Sequence, residues 1–145
     1  MGNAGNKIKL PKPQYHRVEL VLQGKNLEPD WITEYLQVEP DICYRRGPDW
    51  IGSKEKYLRG YWSVCSNLKA VTLTRHAKNI IKRIEQCIDK LKKVVEHKEV
   101  ENAYLDITLE LTSYSLLTLY LPPEIIQIAS LGFDLEFSLW IPGTH

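Results

Sequence analysis

The chain has 145 residues, 43% of them hydrophobic and 26% charged. This length fits one domain, and the apolar fraction excludes wholesale disorder. Its 19 basic and 18 acidic residues leave a net charge of +1, so no global field draws it to nucleic acid or to an anionic membrane. Any partner held by charge must therefore be met by a local patch.

No apolar run approaches the ~20 residues that a membrane helix requires, and the polar N-terminus lacks the apolar core of a signal peptide. We expect residues 1–15 to form a flexible N-terminal arm and residues 16–145 to form one α+β domain. Cys43, Cys65 and Cys87 are an odd, widely spaced set without a Cys-x-x-Cys pair. They argue against a disulfide framework and a structural zinc site, and they favour a cytoplasmic protein with reduced thiols.

The first half of the chain predicts two strands, one helix and a long loop. Residues 17–23 alternate polar and apolar side chains, which is typical of a strand with one covered face. A helix opens at Glu28-Pro29-Asp30 and should stop before Pro40. Periodicity then disappears over residues 41–58, and loops of that length are often functional. Strand character resumes at residues 59–66, where Trp62 and Val64 share a face.

The second half predicts two helices and three strands. Thr72 or Thr74 can cap the longest helix, which runs to about His97 with one apolar stripe. Two alternating strands follow at residues 103–111 and 116–121, joined by a link short enough for a hairpin. A third helix spans residues 124–131, with Gly132 as its C-terminal glycine, and a last strand spans residues 133–141.

This order of elements predicts the fold class. One-sided alternation on most strands indicates a five-stranded, mainly antiparallel sheet with three helices largely on one face. The last six elements follow the order of a ferredoxin-like βαββαβ core, preceded by an extra strand and helix. The last strand could pair with a copy of itself, so a homodimer stays open.

A family pattern also runs along the chain. It begins with a first strand ending in Gly24, the helix Trp31-Ile32-Thr33-x-x-Leu36, and Val38-x-Pro40-Asp41. It continues with Arg46-Gly47, Gly60-x-Trp62, a long helix starting near His76, and Leu131-Gly132-x-Asp134-Leu135. Together these motifs resemble the bacterial domain-of-unknown-function family 4279 over residues 16–141. The resemblance implies a small cytoplasmic α+β domain of bacteria or their phages, and it brings no established catalytic residues.

The segment from Tyr44 to Trp62 is the sharpest candidate binding site, because it interleaves cationic and aromatic side chains. A guanidinium group can fork onto a phosphate or carboxylate, and a neighbouring ring can stack on a base. Alternatively, the rings dock onto the sheet while the charges stay in water. With a histidine of the long helix added, the candidate residues are Arg45, Arg46, Trp50, Tyr57, Arg59, Trp62 and His76.

The sequence gives little support for a catalytic function. The sequence has no nucleophile elbow, phosphate loop or His-x-x-x-His pair. Cys43 and His76 would make a thiol–imidazole pair only if the fold brought them together. Because catalytic motifs are absent from the sequence, we expect that the protein is not an enzyme. No residue pattern indicates a metal or a cofactor either.

Acidic residues of the second half suggest a different role. Asp106 and Glu110 lie four apart on a predicted strand and therefore face the same side. With Asp134 and Glu136 they would make the exposed sheet face acidic. Such a face could recognise a basic partner, as a toxin inhibitor or a nuclease inhibitor would.

The sequence thus favours a non-catalytic binding protein that acts through a protein partner, such as a bacterial immunity or phage counter-defence factor. The aromatic and arginine residues gathered in one segment are typical of binding hot spots. The alternative is a domain that binds a nucleotide or another small anionic molecule through the Tyr44–Trp62 segment. Nucleic acid is disfavoured by the nearly balanced charge.

Overall fold

In the computed structural model, residues 14–47, 58–69, 71–110 and 120–140 are described. Within these ranges five strands form one sheet. They are β1 (Gln14–Gly24), β2 (Ile42–Tyr44), β3 (Gly60–Ser66), β4 (Asn102–Glu110) and β5 (Asp134–Trp140). Their order across the sheet is β2-β3-β1-β4-β5, and only the β4–β5 pairing is parallel.

The helical elements begin where local chemistry favours them. Proline occupies the first turn of α1 (Pro29–Leu36), and the hydroxyl of Thr72 caps α2 (Leu73–Ile84) by accepting the Arg75 N–H at 3.2 Å. A 3-10 turn, Glu85–Cys87, joins α2 to α3 (Ile88–Val95), and α4 spans Pro123–Ala129. With α2 and α3 taken as one interrupted helix, the predicted α+β domain with a mainly antiparallel five-stranded sheet and three helices is confirmed.

All described helices pack on one side of the sheet. Their buried residues join the strands in one apolar cluster, which includes Ile32 of α1, Ile80 of α2, Leu91 of α3 and Ile125 of α4. Alternation along each strand sends every second side chain to the opposite side, where no described helix packs. We call that side the helix-free face. The strand residues of the core are Val18, Leu20, Leu22, Trp62, Val64, Leu105, Ile107 and Leu109.

Strand β2 lies inside the segment that the sequence predicts to be a loop, so that part of the prediction is wrong. Two hydrogen bonds of Asp41 hold the start of β2. The Asp41 N–H donates to the Ser63 carbonyl at 2.8 Å, and the Asp41 carboxylate accepts the Cys65 N–H at 2.6 Å. Because β2 has only three residues, it is too short to show a period-2 pattern in the sequence.

The predicted strand at residues 116–121 lies mostly outside the described residues, as does its hairpin link at 112–115. Its last two residues, Tyr120 and Leu121, are described and are not in a strand. The ferredoxin-like core is not confirmed. In that arrangement the second and fourth strands of the core lie at opposite edges of the sheet, whereas β4 and β5, which hold those two places in the predicted core, are parallel neighbours.

Two element boundaries also differ from the prediction. Strand β1 begins at Gln14, so two residues assigned to the N-terminal arm belong to the sheet, and residues 1–13 lie outside the described ranges. The long helix is interrupted at Glu85–Cys87, where the Cys87 thiol donates to the Ile84 carbonyl at 3.4 Å. Its apolar stripe nevertheless continues through the interruption, as Ile84, Cys87 and Leu91 are all buried.

Candidate functional site

The helix-free face carries most of the polar strand residues. The residues of this face are identified from the strand register and from the alternation of side chains, because their neighbours along each strand lie in the core. Among the described strand residues, Arg17 is the one arginine or lysine, whereas five carboxylates occupy this face. The face is therefore acidic, as the sequence predicts. Its charged residues are Arg17, Glu19, Asp106, Glu110, Asp134 and Glu136.

Glu19 is the centre of a hydrogen-bond network on this face. Only 6% of its surface is exposed, and both carboxylate oxygens have donors. The Arg17 guanidinium donates to one oxygen at 2.8 Å and the Tyr61 hydroxyl to the other at 2.7 Å. Burial, together with this bond to Glu19, strongly raises the pKa of Tyr61. The phenol therefore stays protonated and remains a donor throughout the physiological pH range.

Two further aromatic side chains extend the network. The Tyr44 ring stacks on Tyr61, with ring centroids 4.9 Å apart. The Gln23 amide donates to the Tyr104 hydroxyl at 2.9 Å. Burial raises the pKa of Tyr104, and the nearby carboxylates, Glu136 first among them, raise it further. The helix-free face thus combines tyrosine side chains with neighbouring carboxylates.

Three carboxylates lie in one row across three adjacent strands. Glu19 of β1 is in register with Asp106 of β4, and Asp106 is in register with Glu136 of β5. Neighbouring strands are about 4.8 Å apart, and like charges placed directly opposite one another destabilise a sheet. Arg17 balances Glu19, and the Ser138 hydroxyl donates to Asp106 at 2.9 Å. Neither contact supplies a positive charge to Glu136. We call this set the carboxylate row.

The end of the face near β5 is also aromatic. Trp140 is 52% exposed, and its ring meets the ring of His16 edge-on with centroids 5.7 Å apart. His16 in turn contacts the carboxylate of Glu110 at 2.8 Å. An exposed tryptophan beside carboxylates gives this region both an apolar anchor and a charge for a partner to contact.

The structure separates the residues predicted from the Tyr44–Trp62 segment. Arg45 is exposed, but its guanidinium already contacts Asp30 at 2.5 Å and Glu28 at 3.3 Å. Arg46 and Arg59 are exposed. The remaining two residues of the segment's interior, Trp50 and Tyr57, lie outside the described residues. A single binding surface formed by the whole segment therefore stays a prediction.

Trp62 and His76 are buried, which removes both from the protein surface. The Trp62 ring lies in the core, and its indole N–H donates to the Thr33 hydroxyl at 3.0 Å. It cannot stack on a ligand base without leaving that core. The prediction that Trp62 and Val64 share a strand face is correct. A ring within a segment rich in charged residues can still point inward, because neighbouring residues of a strand face opposite sides.

His76 belongs to a structural chain of hydrogen bonds. Its Nε2 donates to the Tyr15 carbonyl at 3.1 Å, and its Nδ1 contacts the Ser66 hydroxyl at 2.8 Å. The Asn79 amide donates to the same hydroxyl at 3.0 Å. Burial lowers the pKa of His76. Since both ring nitrogens are engaged, the imidazole does not form the thiol–imidazole pair considered with Cys43.

Glu19, Tyr61 and Tyr104 were not among the candidate residues. The alternation of residues 17–23 places Glu19 on the polar side of β1, so the sequence carries a signal for its face. The sequence carries no signal for the burial of Glu19, because that burial depends on Arg17 and Tyr61 lying beside Glu19 after folding. Strand order likewise decides that Asp106 lies between two other carboxylates.

Comparisons with known proteins add the family. Within the described ranges, no helix is both long and apolar enough to cross a membrane, and no group of three or more metal-binding side chains has the geometry of a metal site. No curated protein and no solved structure matches the chain. A family model described as a domain of unknown function, DUF4279, matches residues 13–142. That match spans most of the chain and every described strand and helix, and the chain therefore belongs to the DUF4279 family.

Proposed function

We propose that this chain is a non-catalytic binding protein whose helix-free face docks onto a basic surface of another protein. A bacterial immunity or phage counter-defence factor would act in this way. The observation that carries the proposal is the carboxylate row, in which Glu19, Asp106 and Glu136 are aligned on adjacent strands. A cytoplasmic location fits the three free thiols of the chain.

The row is costly for the isolated fold, because like charges in register repel one another. Natural proteins often keep such locally unfavourable arrangements where function needs them. A partner that brings lysine or arginine side chains to Asp106 and Glu136 would relieve the repulsion and gain charge-assisted hydrogen bonds. Complementary charge would also speed the encounter and fix its orientation.

The shape of the face favours a protein over a small molecule. Small-molecule sites are usually concave. In the described part of the chain, one cavity lies beside Trp31 and His97 and another lies along α2, and neither is lined by a residue of the helix-free face. A sheet surface with exposed Trp140 at one end suits a broad contact with an aromatic anchor.

The alternative of a nucleotide site in the Tyr44–Trp62 segment has less support. Trp62 is buried and Arg45 is paired with two carboxylates, so the described part of the segment offers Arg46, Arg59 and the Tyr44–Tyr61 stack. We retain this reading only as an alternative that the experiment below also tests.

The test uses a hexaarginine peptide as a defined basic probe, followed by amide shifts in NMR spectra of the whole chain. We expect shifts to be confined to the strands, with the largest at β4 and β5. The variant Asp106→Asn/Glu136→Gln should weaken binding about tenfold, as expected for the loss of two charged contacts. The matched control Glu85→Gln/Asp89→Asn removes two exposed carboxylates from the helical side and should leave binding unchanged.

Each other result contradicts the proposal. Equal weakening in both variants would show attraction by overall charge alone. Shifts centred on Arg46 and Tyr44 with a nucleotide, and none with the peptide, would favour the alternative. A partner isolated from cells should follow the same pattern when it is purified and its dissociation constant is measured with the two variants.

A further inference from the structure

A depression on the helical side of the molecule is lined by cations. It has a volume of about 600 Å³ and lies along α2 from Thr74 to Lys82. Its polar lining comes from Thr72, Thr74, Arg75, Lys78, Asn79 and Lys82, with Leu68 at its edge. Because α2 packs on the core side of the sheet, this depression faces away from the helix-free face.

The three cations form one stripe. They are separated by three and four residues along α2, so they project from the same side of the helix. Like charges at that spacing repel one another. Among the described residues, no carboxylate lines the depression, and the ion pair that reaches it is the contact of Lys78 with Glu124, at 4.0 Å. Arg75 and Lys82 have no ion pair among the described residues.

The floor beneath the stripe is fixed by hydrogen bonds. The Thr72 hydroxyl accepts the Arg75 N–H at 3.2 Å and keeps its own proton free to donate. Asn79 is held to Ser66 at 3.0 Å, and Ser66 is held in turn to the buried His76. The positive end of the α2 dipole adds to the field at this end of the depression. Hydroxyl donors and three cations over a rigid floor are a suitable environment for an oxyanion.

We infer that this depression binds the phosphate groups of a small polyanion, such as an oligophosphate or a phosphorylated metabolite. The stripe runs seven residues along α2, about 10 Å at 1.5 Å per residue, which fits a few linked phosphates. No aromatic side chain of the described residues lines the depression, so this part of the molecule offers no stacking platform of the kind found in single-strand nucleic acid sites. This inference is independent of the proposed function, because it concerns the opposite side of the molecule.

The experiment measures binding of inorganic tripolyphosphate to the whole chain by calorimetry and by NMR amide shifts. We expect saturable binding, with shifts at residues 72–82. The variant Arg75→Gln/Lys82→Gln should weaken it about tenfold. The matched control Lys92→Gln/Lys93→Gln removes the same charge from exposed positions of α3 and should change the dissociation constant less than about twofold.

Circular dichroism establishes that both double variants are folded, and the wild-type shift map tests the site without any substitution. Absence of binding at millimolar tripolyphosphate would overturn the inference, as would equal weakening in the two variants. A single-stranded oligonucleotide that binds the same residues far more tightly, with a steep salt dependence, would also overturn it and indicate a nucleic acid interface.

Discussion

Replacing Glu136 with glutamine should make the protein more stable, although it removes a charged residue from the surface. Glu136 lies in register with Asp106, and Asp106 lies in register with Glu19, so the substitution ends one like-charge contact of the carboxylate row. Glutamine keeps the length and shape of the side chain. Glu136 makes no ion pair among the described residues, so no attractive contact is lost.

The expected gain follows from the strand spacing. Two unit charges about 4.8 Å apart repel by about 0.9 kcal/mol in water. Glu136 is exposed, so water screens it fully, and cross-strand pairs of this kind are typically worth about 0.2–1 kcal/mol. We therefore expect the free energy of unfolding to rise by about 0.5–1 kcal/mol. For a chain of this size, that corresponds to a rise in melting temperature of about 1–4 °C.

Urea unfolding at two salt concentrations tests the cause of the gain. The difference between Glu136→Gln and wild type should be present at about 20 mM salt and should vanish near 1 M, where the Debye length of about 3 Å is shorter than the strand spacing. The control is Asp89→Asn, because Asp89 is exposed in the first turn of α3, one helical turn before Lys93, and its charge has attractive neighbours to lose. A variant that is no more stable than wild type at low salt, or equally stabilised at 1 M, would refute the reasoning.

Three other predictions concern the fold and its titrating groups. Gly24→Ala should lower the free energy of unfolding by about 2–3 kcal/mol in urea, because a Cβ there would overlap the Glu99 carbonyl oxygen. Burial holds the pKa of His76 below its ordinary 6.5, so the unfolded chain binds the proton first. Stability should therefore fall as the pH drops below about 6.5, and His76→Gln should flatten that dependence in urea midpoints. A thiol reagent should label Cys43 rapidly and the two buried cysteines, whose pKa values are raised by burial, only after unfolding.

Hydropathy periodicity identifies strands well but does not determine how they pair. The alternation in residues 17–23 places Glu19 and Val18 on opposite faces, as the structure does. The same pattern would occur whether β5 ran parallel or antiparallel to β4. The parallel pairing depends on α4 crossing between the two strands, and that is a property of the whole chain.

The sequence predicts the candidate site only in part. It places the carboxylates of β4 and β5 on one face, but it does not predict their alignment with Glu19. Asp106, Glu110, Asp134 and Glu136 were expected on one face because residues two apart on a strand share a side. The alignment of Glu19 with two of them depends on β1 lying beside β4, and sequence spacing carries no such information. Conversely, a tryptophan such as Trp62 is typical of binding sites, but here the side chain is buried in the core.

The two proposed surfaces should work independently, and this expectation separates them from a general effect of charge. The carboxylate row and the α2 depression lie on opposite sides of the sheet, with the apolar core between them. Packed layers are about 10 Å apart, and at physiological salt the Debye length is about 8 Å, so charge on one side is largely screened from the other. Asp106→Asn/Glu136→Gln should therefore leave tripolyphosphate binding unchanged, and Arg75→Gln/Lys82→Gln should leave hexaarginine binding unchanged. If either variant shifts both dissociation constants by a similar factor, the surfaces are coupled and the assignment of one ligand to each is wrong.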